Sequence, residues 1–400
     1  MTINFRLLAD KIRTLGEQLG FDAIAITDTD LSRYRAHLLA WLEQGNEGEM
    51  GYMRRNVNKR LDPSALEPGT ARVITARMNY LPHGAEPTSV LADPTKAYIA
   101  RYALGRDYHK VMRKRLAKLA RLIGAEAEGF GSYRAFTDSA PVLEKPLAEK
   151  SGLGWIGKNS LLLDRKAGSW FFLGEIFTDL PLPTGPQTGT RNDADEEAAR
   201  GHTTTERGHT TTREHGAGTH NDDLCGKCKA CMTVCPTGAI TAARRIDARR
   251  CIAYLTIEHK TAIPVELRRP IGNRVFGCDD CQLVCPWNRD APRTCEDDFQ
   301  PRNDLDSADL VTLFEWSEAT FLEKTRGTAL RRISFEQWQR NLAIALGNAP
   351  PSAQIIHVLE QRRQTASPLA KEHIDWALIE QLKTTRRPAH QPPIVKNLSR

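Results

Sequence analysis

Residues 225–236 read CGKCKACMTVCP and residues 278–286 read CDDCQLVCP, with one further cysteine, Cys251, between them. The first run has the spacing C-x2-C-x2-C-x3-C followed by proline. This spacing is typical of bacterial proteins with two [4Fe-4S] clusters, in which the fourth cysteine ligates the other cluster. The second run is one cysteine short, and Cys251 completes the number. The spacing therefore predicts one cluster on Cys225, Cys228, Cys231 and Cys285, and another on Cys235, Cys251, Cys278 and Cys281.

Disulfides and zinc are the competing interpretations of these cysteines. The first thirty residues show no secretory signal and no apolar stretch is long enough to span a membrane, so a reducing cytoplasm is the expected location. Disulfides are rare there. Zinc sites usually have paired C-x2-C motifs or mixed Cys/His ligands. The pattern therefore favours iron–sulfur clusters, and it leaves Cys295 as an ordinary thiol.

The charge of the chain is unevenly placed. The 400 residues are 40% hydrophobic and 26% charged, with a formal net charge of +7, and this length accommodates two or three domains. Residues 326–400 contain 12 Lys and Arg against 5 Asp and Glu, a local excess of 7 positive charges. Such a segment suits a phosphate-rich partner, and solvated helix faces have a similar composition.

Hydrophobic periodicity predicts alternating helices and strands in the first 180 residues. The expected helices are 4–19 and 109–123, and the expected strands are 23–27, 72–81 and 170–177. From residue 305 onward, amphipathic helices joined by short turns resemble HEAT-type repeats. These helices are expected over 310–314, 333–346, 355–359 and 374–382.

Residues 184–222 interrupt this order. The sequence RGHTTTE at 200–206 recurs as RGHTTTR at 207–213, and large apolar residues are almost absent. A segment of this composition cannot bury a core, so it is expected to be a disordered insertion. The predicted fold class is α+β, with a mixed α/β domain at 1–183, the insertion at 184–222, a ferredoxin-like cluster domain at 223–300 and a HEAT-like helical region at 305–390.

Gly152, Gly154 and Gly157 match the motif G-x-G-x-x-G. A dinucleotide-binding fingerprint requires a strand before the glycines and a helix after them. Here a helical pattern over 142–150 precedes them and a strand pattern over 160–163 follows. The reversed context argues against nicotinamide binding and favours a glycine-rich turn where a ligand approaches the backbone.

Several long motifs resemble the epoxyqueuosine reductase family. They are NKRLDP at 58–63, ARYALGRDYH at 100–109, TDSAPVLEKPLAEKSGLGWIGKN at 137–159, RCIAYLTIEHK at 250–260 and IGNRVFGCDDCQLVCPWN at 271–288, together with the eight cysteines. The resemblance implies cobalamin, two [4Fe-4S] clusters and the reduction of epoxyqueuosine to queuosine at the wobble position of tRNA. It also implies that Asp138 is the proton donor.

Read without the resemblance, Asp138 would be a helix N-cap, since aspartate is common there. As a general acid in a water-poor pocket, it would have a raised pKa, because desolvation disfavours the anion. The resemblance further implies corrin contacts at Arg60, Ala100, Asp138, Leu162, Leu173, Ala253, Cys278 and Asp279, with weaker candidates at Asn159 and Lys260.

Two positions depart from related patterns. Residue 253 is usually serine in the family and is alanine here, so a side-chain contact there is in doubt. Asp107-Tyr108-His109 begins like the cobalamin signature D-x-H-x-x-G, but Met112 replaces the glycine. His109 is therefore not expected to ligate cobalt.

The expected partners are the anticodon stem-loop of tRNA and an external electron donor, and a monomer is expected. Arg331, Arg332 and Lys371 are predicted to contact RNA phosphates. Two other functions compete with this one. A reductive dehalogenase-like enzyme would use the same cofactors, and a ferredoxin-type electron carrier would have no active site of its own.

Overall fold

The structure is a computed structural model that describes residues 3–185 and 224–383. The predicted insertion lies outside the described residues from position 186 onward, as do residues 384–390 of the predicted helical region. None of the helices in the described ranges is both long and apolar enough to cross a membrane.

The first region contains seven helices and seven strands among its described residues. The helices are α1 (Phe5–Gln18), α2 (Ser32–Glu43), α3 (Val57–Leu61), α4 (Pro63–Leu66), α5 (Pro87–Ala92), α6 (Tyr108–Glu126) and α7 (Glu144–Ser151). The strands are β1 (Ala23–Thr27), β2 (Arg72–Asn79), β3 (Tyr98–Ile99), β4 (Tyr133–Phe136), β5 (Trp155–Ile156), β6 (Leu162–Leu163) and β7 (Phe171–Thr178).

Short elements follow in the cluster region, and longer helices end the described chain. The helices are α8 (Ala230–Val234), α9 (Ile252–Ile257), α10 (Val265–Ile271), α11 (Asp280–Leu283), α12 (Leu310–Glu315), α13 (Glu318–Lys324), α14 (Phe335–Asn348), α15 (Ala353–Arg363) and α16 (Pro368–Leu382). The strands are β8 (Ile240–Ala242), β9 (Arg245–Ile246) and β10 (Arg274–Phe276).

Four of the strands form one antiparallel sheet in the order β1-β2-β7-β4. Apolar side chains of its strands alternate between two covered faces. Ile24, Ile74 and Ile176 pack with α1 and α6 on one face, while Val73 and Phe177 pack with Leu147 of α7 on the other. The sheet region is therefore a three-layer sandwich, and the predicted α+β class is confirmed.

The C-terminal helices do not form a core of their own. Leu342 and Trp338 of α14 share one hydrophobic core with Ile252 of α9, Phe276 of β10 and Ile99 of β3. Strand β10 pairs in parallel with β3, which joins the cluster region to the N-terminal region. The sequence predicted domain boundaries at 183, 223 and 305. One hydrophobic core extends across the boundary at 305, so the cluster region and the C-terminal helices pack as one unit.

Candidate active site

A cavity of about 500 Å³ lies where the sheet region, the cluster region and the C-terminal helices meet. Its walls are mainly apolar and aromatic, as in sites for large organic ligands. They include Leu38, Trp41, Met53, Tyr102, Ile246 and Ile257. A few polar groups also face the cavity, and Asp138, Lys145, Glu258 and Arg332 carry its charges together with Arg244.

Asp138 enters this cavity from the loop between β4 and α7. Its φ is +51°, a left-handed conformation that is uncommon for a residue other than glycine. Helix α7 begins at Glu144 with Leu143 as its N-cap, so the N-cap interpretation of Asp138 is wrong. The side chain is 43% exposed, and that surface faces the cavity.

Two side chains from the start of α6 bond to the Asp138 carboxylate. The Tyr108 hydroxyl donates to Oδ2 at 2.5 Å, and Nε2 of His109 lies 3.1 Å from the same oxygen. The other ring nitrogen of His109 lies 2.7 Å from Asp107 Oδ1. Both nitrogens of His109 are therefore engaged, which agrees with the prediction that this histidine does not ligate cobalt.

The pKa of Asp138 differs from the expectation that burial raises it. Burial alone would raise the pKa of Asp138, but hydrogen bonds from His109 and Tyr108 and the charges of His109 and Arg332 lower it to about 2. The pKa of His109 is raised to about 9, since its bonds to Asp107 and Asp138 outweigh desolvation. The expected raised pKa at Asp138 is thus wrong for this arrangement, because at neutral pH the proton of the pair lies on His109.

Arg332 lines this site, with 39% of its side chain exposed. It lies in a 3-10 turn at Ala329–Arg332, with Nη1 3.6 Å from Asp138 Oδ2 and Nη2 2.8 Å from Glu258 Oε1. These contacts place Arg332 in the cavity wall, and its contact with RNA stays a prediction. Arg331 and Lys371 are exposed, and their role stays a prediction.

The eight motif cysteines fall into two neighbourhoods. A second cavity of about 220 Å³ is lined by Cys225, Cys228, Cys231 and Cys285, the first predicted set. In the second set, burial raises the pKa of the Cys281 thiol, and the nearby thiols of Cys251 and Cys235 raise it further. Cys251 also lines the main cavity. Among the described residues no three His, Cys, Asp or Glu side chains could hold a single metal ion.

Only two of the predicted corrin contacts, Asp138 and Ala253, line the main cavity. Asp279 is buried and accepts bonds from the Tyr98 hydroxyl and the Arg101 amide, each at 2.8 Å. Asn159 donates to the carbonyl of Cys281 at 3.3 Å and lines the smaller cavity. Contacts with a corrin stay predictions, without support from the cavity lining, at Arg60, Ala100, Asn159, Leu162, Leu173, Lys260, Cys278 and Asp279.

Gly152 and Gly154 lie between α7 and β5, and Gly157 lies between β5 and β6. A helix therefore precedes the glycines and a strand follows them, so the rejection of a dinucleotide fingerprint agrees with the structure. Gly154 has φ +156°, and a Cβ there would lie 2.1 Å from the carbonyl oxygen of Leu163. The close approach that excludes a side chain at Gly154 is therefore made by strand β6, not by a ligand.

Sequence reasoning missed Tyr108, Arg332 and Glu144 as site residues, and it considered His109 only as a metal ligand. Tyr108 and His109 lie within the motif ARYALGRDYH, which was the available signal for them. Arg332 carried no local signal, because it lies almost two hundred residues from Asp138.

The cysteine sets and the cavity beside them define an iron–sulfur redox protein with its own active site. A family model described as a 4Fe-4S double cluster binding domain matches residues 224–288, and one described as epoxyqueuosine reductase QueG, DUF1730, matches residues 60–139. The epoxyqueuosine reductase of Pseudomonas aeruginosa is 53% identical over 371 residues, covering 93% of this chain and 94% of the relative. The chain belongs to the epoxyqueuosine reductase family.

Solved structures agree in fold. A structure of epoxyqueuosine reductase from Bacillus subtilis, with its catalytic aspartate loop swung out of the active site, has a TM-score of 0.76 at 23% identity and covers 99% of both chains. Another, of an epoxyqueuosine reductase with an epoxyqueuosine-modified tRNA-Tyr stem loop, has a TM-score of 0.74 at 22% identity and covers 94% of this chain and 100% of that one.

Proposed function

We propose that this chain reduces epoxyqueuosine to queuosine at the wobble position of tRNA, with cobalamin in the main cavity and two [4Fe-4S] clusters on the eight motif cysteines. The observation that supports this most directly is a single cavity that combines Asp138, bonded to His109, with Cys251 in its wall. The proposed proton donor and a cysteine of the cluster motif thus line the same cavity.

The reaction sets what the site must supply. Removing the epoxide oxygen as water, with a carbon–carbon double bond left in the ring, consumes two electrons and two protons. Single electrons suit iron–sulfur centres. A proton must reach the epoxide oxygen, because a protonated oxygen leaves far more easily.

The main cavity fits a large flat cofactor. Its wide apolar and aromatic walls match the faces of a macrocycle, and its few charged groups lie together around Asp138. Bound cobalamin would supply a low-valent cobalt able to reduce the epoxide. Ala253 and Tyr102 would contact it from the wall. His109 would not ligate it, since both its ring nitrogens are bonded to carboxylates.

The chain itself supplies one of the two protons through His109 and Asp138, and water supplies the other. At neutral pH the pair holds one proton, on His109, with Asp138 as the anion. Asp138 is the member that faces the cavity, so the proton passes from Nε2 of His109 across their 3.1 Å contact before it reaches a bound oxygen. Tyr108 and Arg332 hold the carboxylate in position meanwhile.

The two cysteine sets would hold their clusters at different depths. Cys228 is exposed, so the set with Cys225, Cys231 and Cys285 opens toward solvent. The set with Cys235, Cys278 and Cys281 includes Cys251, which lines the main cavity. The clusters supply single electrons when bound. An external donor would reduce the cluster at the exposed set, and the set beside the main cavity lies nearer to the active site.

The RNA would approach over helix α6, whose solvent face is basic. Its exposed side chains include Lys110, Arg113, Lys114 and Lys118. Nη2 of Arg113 donates to the hydroxyl of Ser139 at 3.1 Å, next to Asp138. Phosphates bound along this face would place an unstacked nucleoside at the cavity, as single-stranded RNA recognition requires.

Anaerobic purification tests the proposal. The protein, reconstituted with iron, sulfide and cobalamin, is supplied with dithionite and an epoxyqueuosine-containing tRNA stem loop, and the nucleosides are analysed by mass spectrometry. Queuosine should form, and electron paramagnetic resonance should show two clusters. A protein that assembles both clusters but neither retains cobalamin nor forms queuosine would be an electron carrier, and the proposal would be wrong.

A further inference from the structure

A pair of carboxyl groups, a half-buried one at Glu144 and a buried one at Glu175, lies behind Asp138 and takes no part in the proposed proton transfer. Glu144 is the first residue of α7, and Glu175 lies in the central strand β7. Glu175 is fully buried, opposite Thr75 and Phe136 in the neighbouring strands. A carboxyl group in the middle of a covered sheet is costly unless it is neutral or paired.

The Glu144 side chain holds the backbone of the catalytic loop. Its Oε1 accepts the Asp138 backbone N–H at 2.5 Å. Asp138 has φ +51°, a conformation that persists in residues other than glycine only where surrounding contacts fix it. The side chain of Asp138 is fixed by Tyr108 and His109, so Glu144 supplies the matching contact on the main chain.

The contact between the two carboxyl groups requires a proton. Both oxygens of Glu175 are buried, and no donor among the described residues reaches either one. Glu175 lies opposite Phe136, two residues before Asp138, whose N–H bonds the Glu144 carboxyl, so the two carboxyl groups are neighbours. Glu144 accordingly raises the pKa of Glu175. Two ionised carboxylates in contact repel each other, whereas one shared proton turns the contact into a hydrogen bond.

We infer that Glu144 is a positioning residue that holds the Asp138 loop inward, and that it does so while it shares a proton with Glu175. This rests on the proposed function. Loss of the shared proton puts a second negative charge behind the Asp138 carboxylate. The repulsion then favours release of the loop, so proton loss from the pair withdraws Asp138 from the cavity.

The pKa values agree with this arrangement. Burial raises the pKa of Glu144 to about 8, and the charge of Asp138 adds to the effect. The pKa of Glu175 is raised well above its ordinary value by burial and by Glu144. The other titratable or charged groups around the pair and Asp138 are Tyr52, Arg60 of α3, Tyr102, Tyr108 and His109 of α6, Lys145 of α7 and Arg332.

Hydrogen exchange measured by mass spectrometry on the full-length protein tests the loop contact without requiring turnover. In Glu144→Ala, amides of residues 137–140 should exchange about 10-fold faster, the effect of losing one hydrogen bond. Glu144→Gln keeps an amide oxygen for the Asp138 N–H and gains a donor for Glu175, so these amides should stay protected. The control Glu126→Gln alters an exposed carboxyl at the end of α6.

The pH profile of single-turnover reduction tests the shared proton. In the unsubstituted protein the rate should fall as the pH rises through about 8, the pKa of Glu144. In Glu144→Gln the fall in rate should move to about pH 9, where His109 titrates. Unchanged exchange in Glu144→Ala, or an unmoved fall in rate in Glu144→Gln, would overturn the inference. Absence of queuosine from the unsubstituted protein would instead overturn the proposed function, and the exchange result would still stand.

Discussion

Nε2 of His109 lies 3.1 Å from Oδ2 of Asp138, while the other ring nitrogen bonds Asp107. An imidazole between two carboxylates is held as the cation, and its charge keeps Asp138 ionised. The proton donor that we propose for this site is therefore a pair of residues rather than a single carboxylic acid.

Replacing Asp138 by asparagine removes the group that faces the cavity. Turnover should fall by about 10²- to 10⁴-fold, the usual contribution of a positioned acid. Cluster content, cobalamin content and affinity for the tRNA stem loop should be retained, since asparagine is close in shape. Single-turnover kinetics under dithionite gives the rate. Undiminished turnover would remove Asp138 from the mechanism.

Replacing His109 by glutamine removes the proton at the pair but leaves a donor for Asp138. The pKa of His109 is raised from 6.5 to about 9 in the folded protein. Its contribution to stability is thus complete below about pH 6.5 and is lost as the pH rises through 9. Denaturant unfolding from pH 6 to 10 should show this loss in the unsubstituted protein and a weaker dependence in the variant. Equal pH dependence in both would contradict the assignment.

Replacing Cys251 by serine should remove one cluster and spare the other. Iron content after reconstitution should fall from about 8 to about 4 atoms per chain, because each four-cysteine set holds four irons. Cys295→Ser is the matched control, since Cys295 is exposed and lies outside both sets. Iron analysis and electron paramagnetic resonance distinguish the two variants. Loss of iron in the control, or none in Cys251→Ser, would refute the predicted sets.

Reversing the charge of Arg113 should weaken RNA binding. Arg113→Glu should lower the affinity for the stem loop and reduce the slope of log K against log salt by about 1, as for a lost phosphate contact. Lys11→Glu makes the same charge change beside Glu126, at the far end of α6, and should have little effect. Fluorescence anisotropy at several salt concentrations measures both. Equal slopes for the two variants would place the RNA elsewhere.

Local patterns predicted much of the fold. Strand β1 has the bounds expected from its apolar run at 23–27, and α6 extends the predicted helix at 109–123 by one residue at its start and three at its end. These elements follow from the alternation of side chains within one segment. The continuous core that unites α14 with the cluster region was not predicted, because periodicity shows which face is buried but not what covers it.

The sequence by itself determined the chemistry that depends on residue type and spacing. Eight cysteines at ferredoxin spacing indicate two [4Fe-4S] clusters, and the motif around Asp138 marks the loop that we propose to be catalytic. Only the tertiary structure decided which groups surround Asp138. His109 and Tyr108 come from a helix about thirty residues earlier in the chain, and Arg332 comes from a turn almost two hundred residues later. The protonation of Asp138 depends on charges within a few ångströms in space, so its low pKa could not be read from neighbours in the sequence.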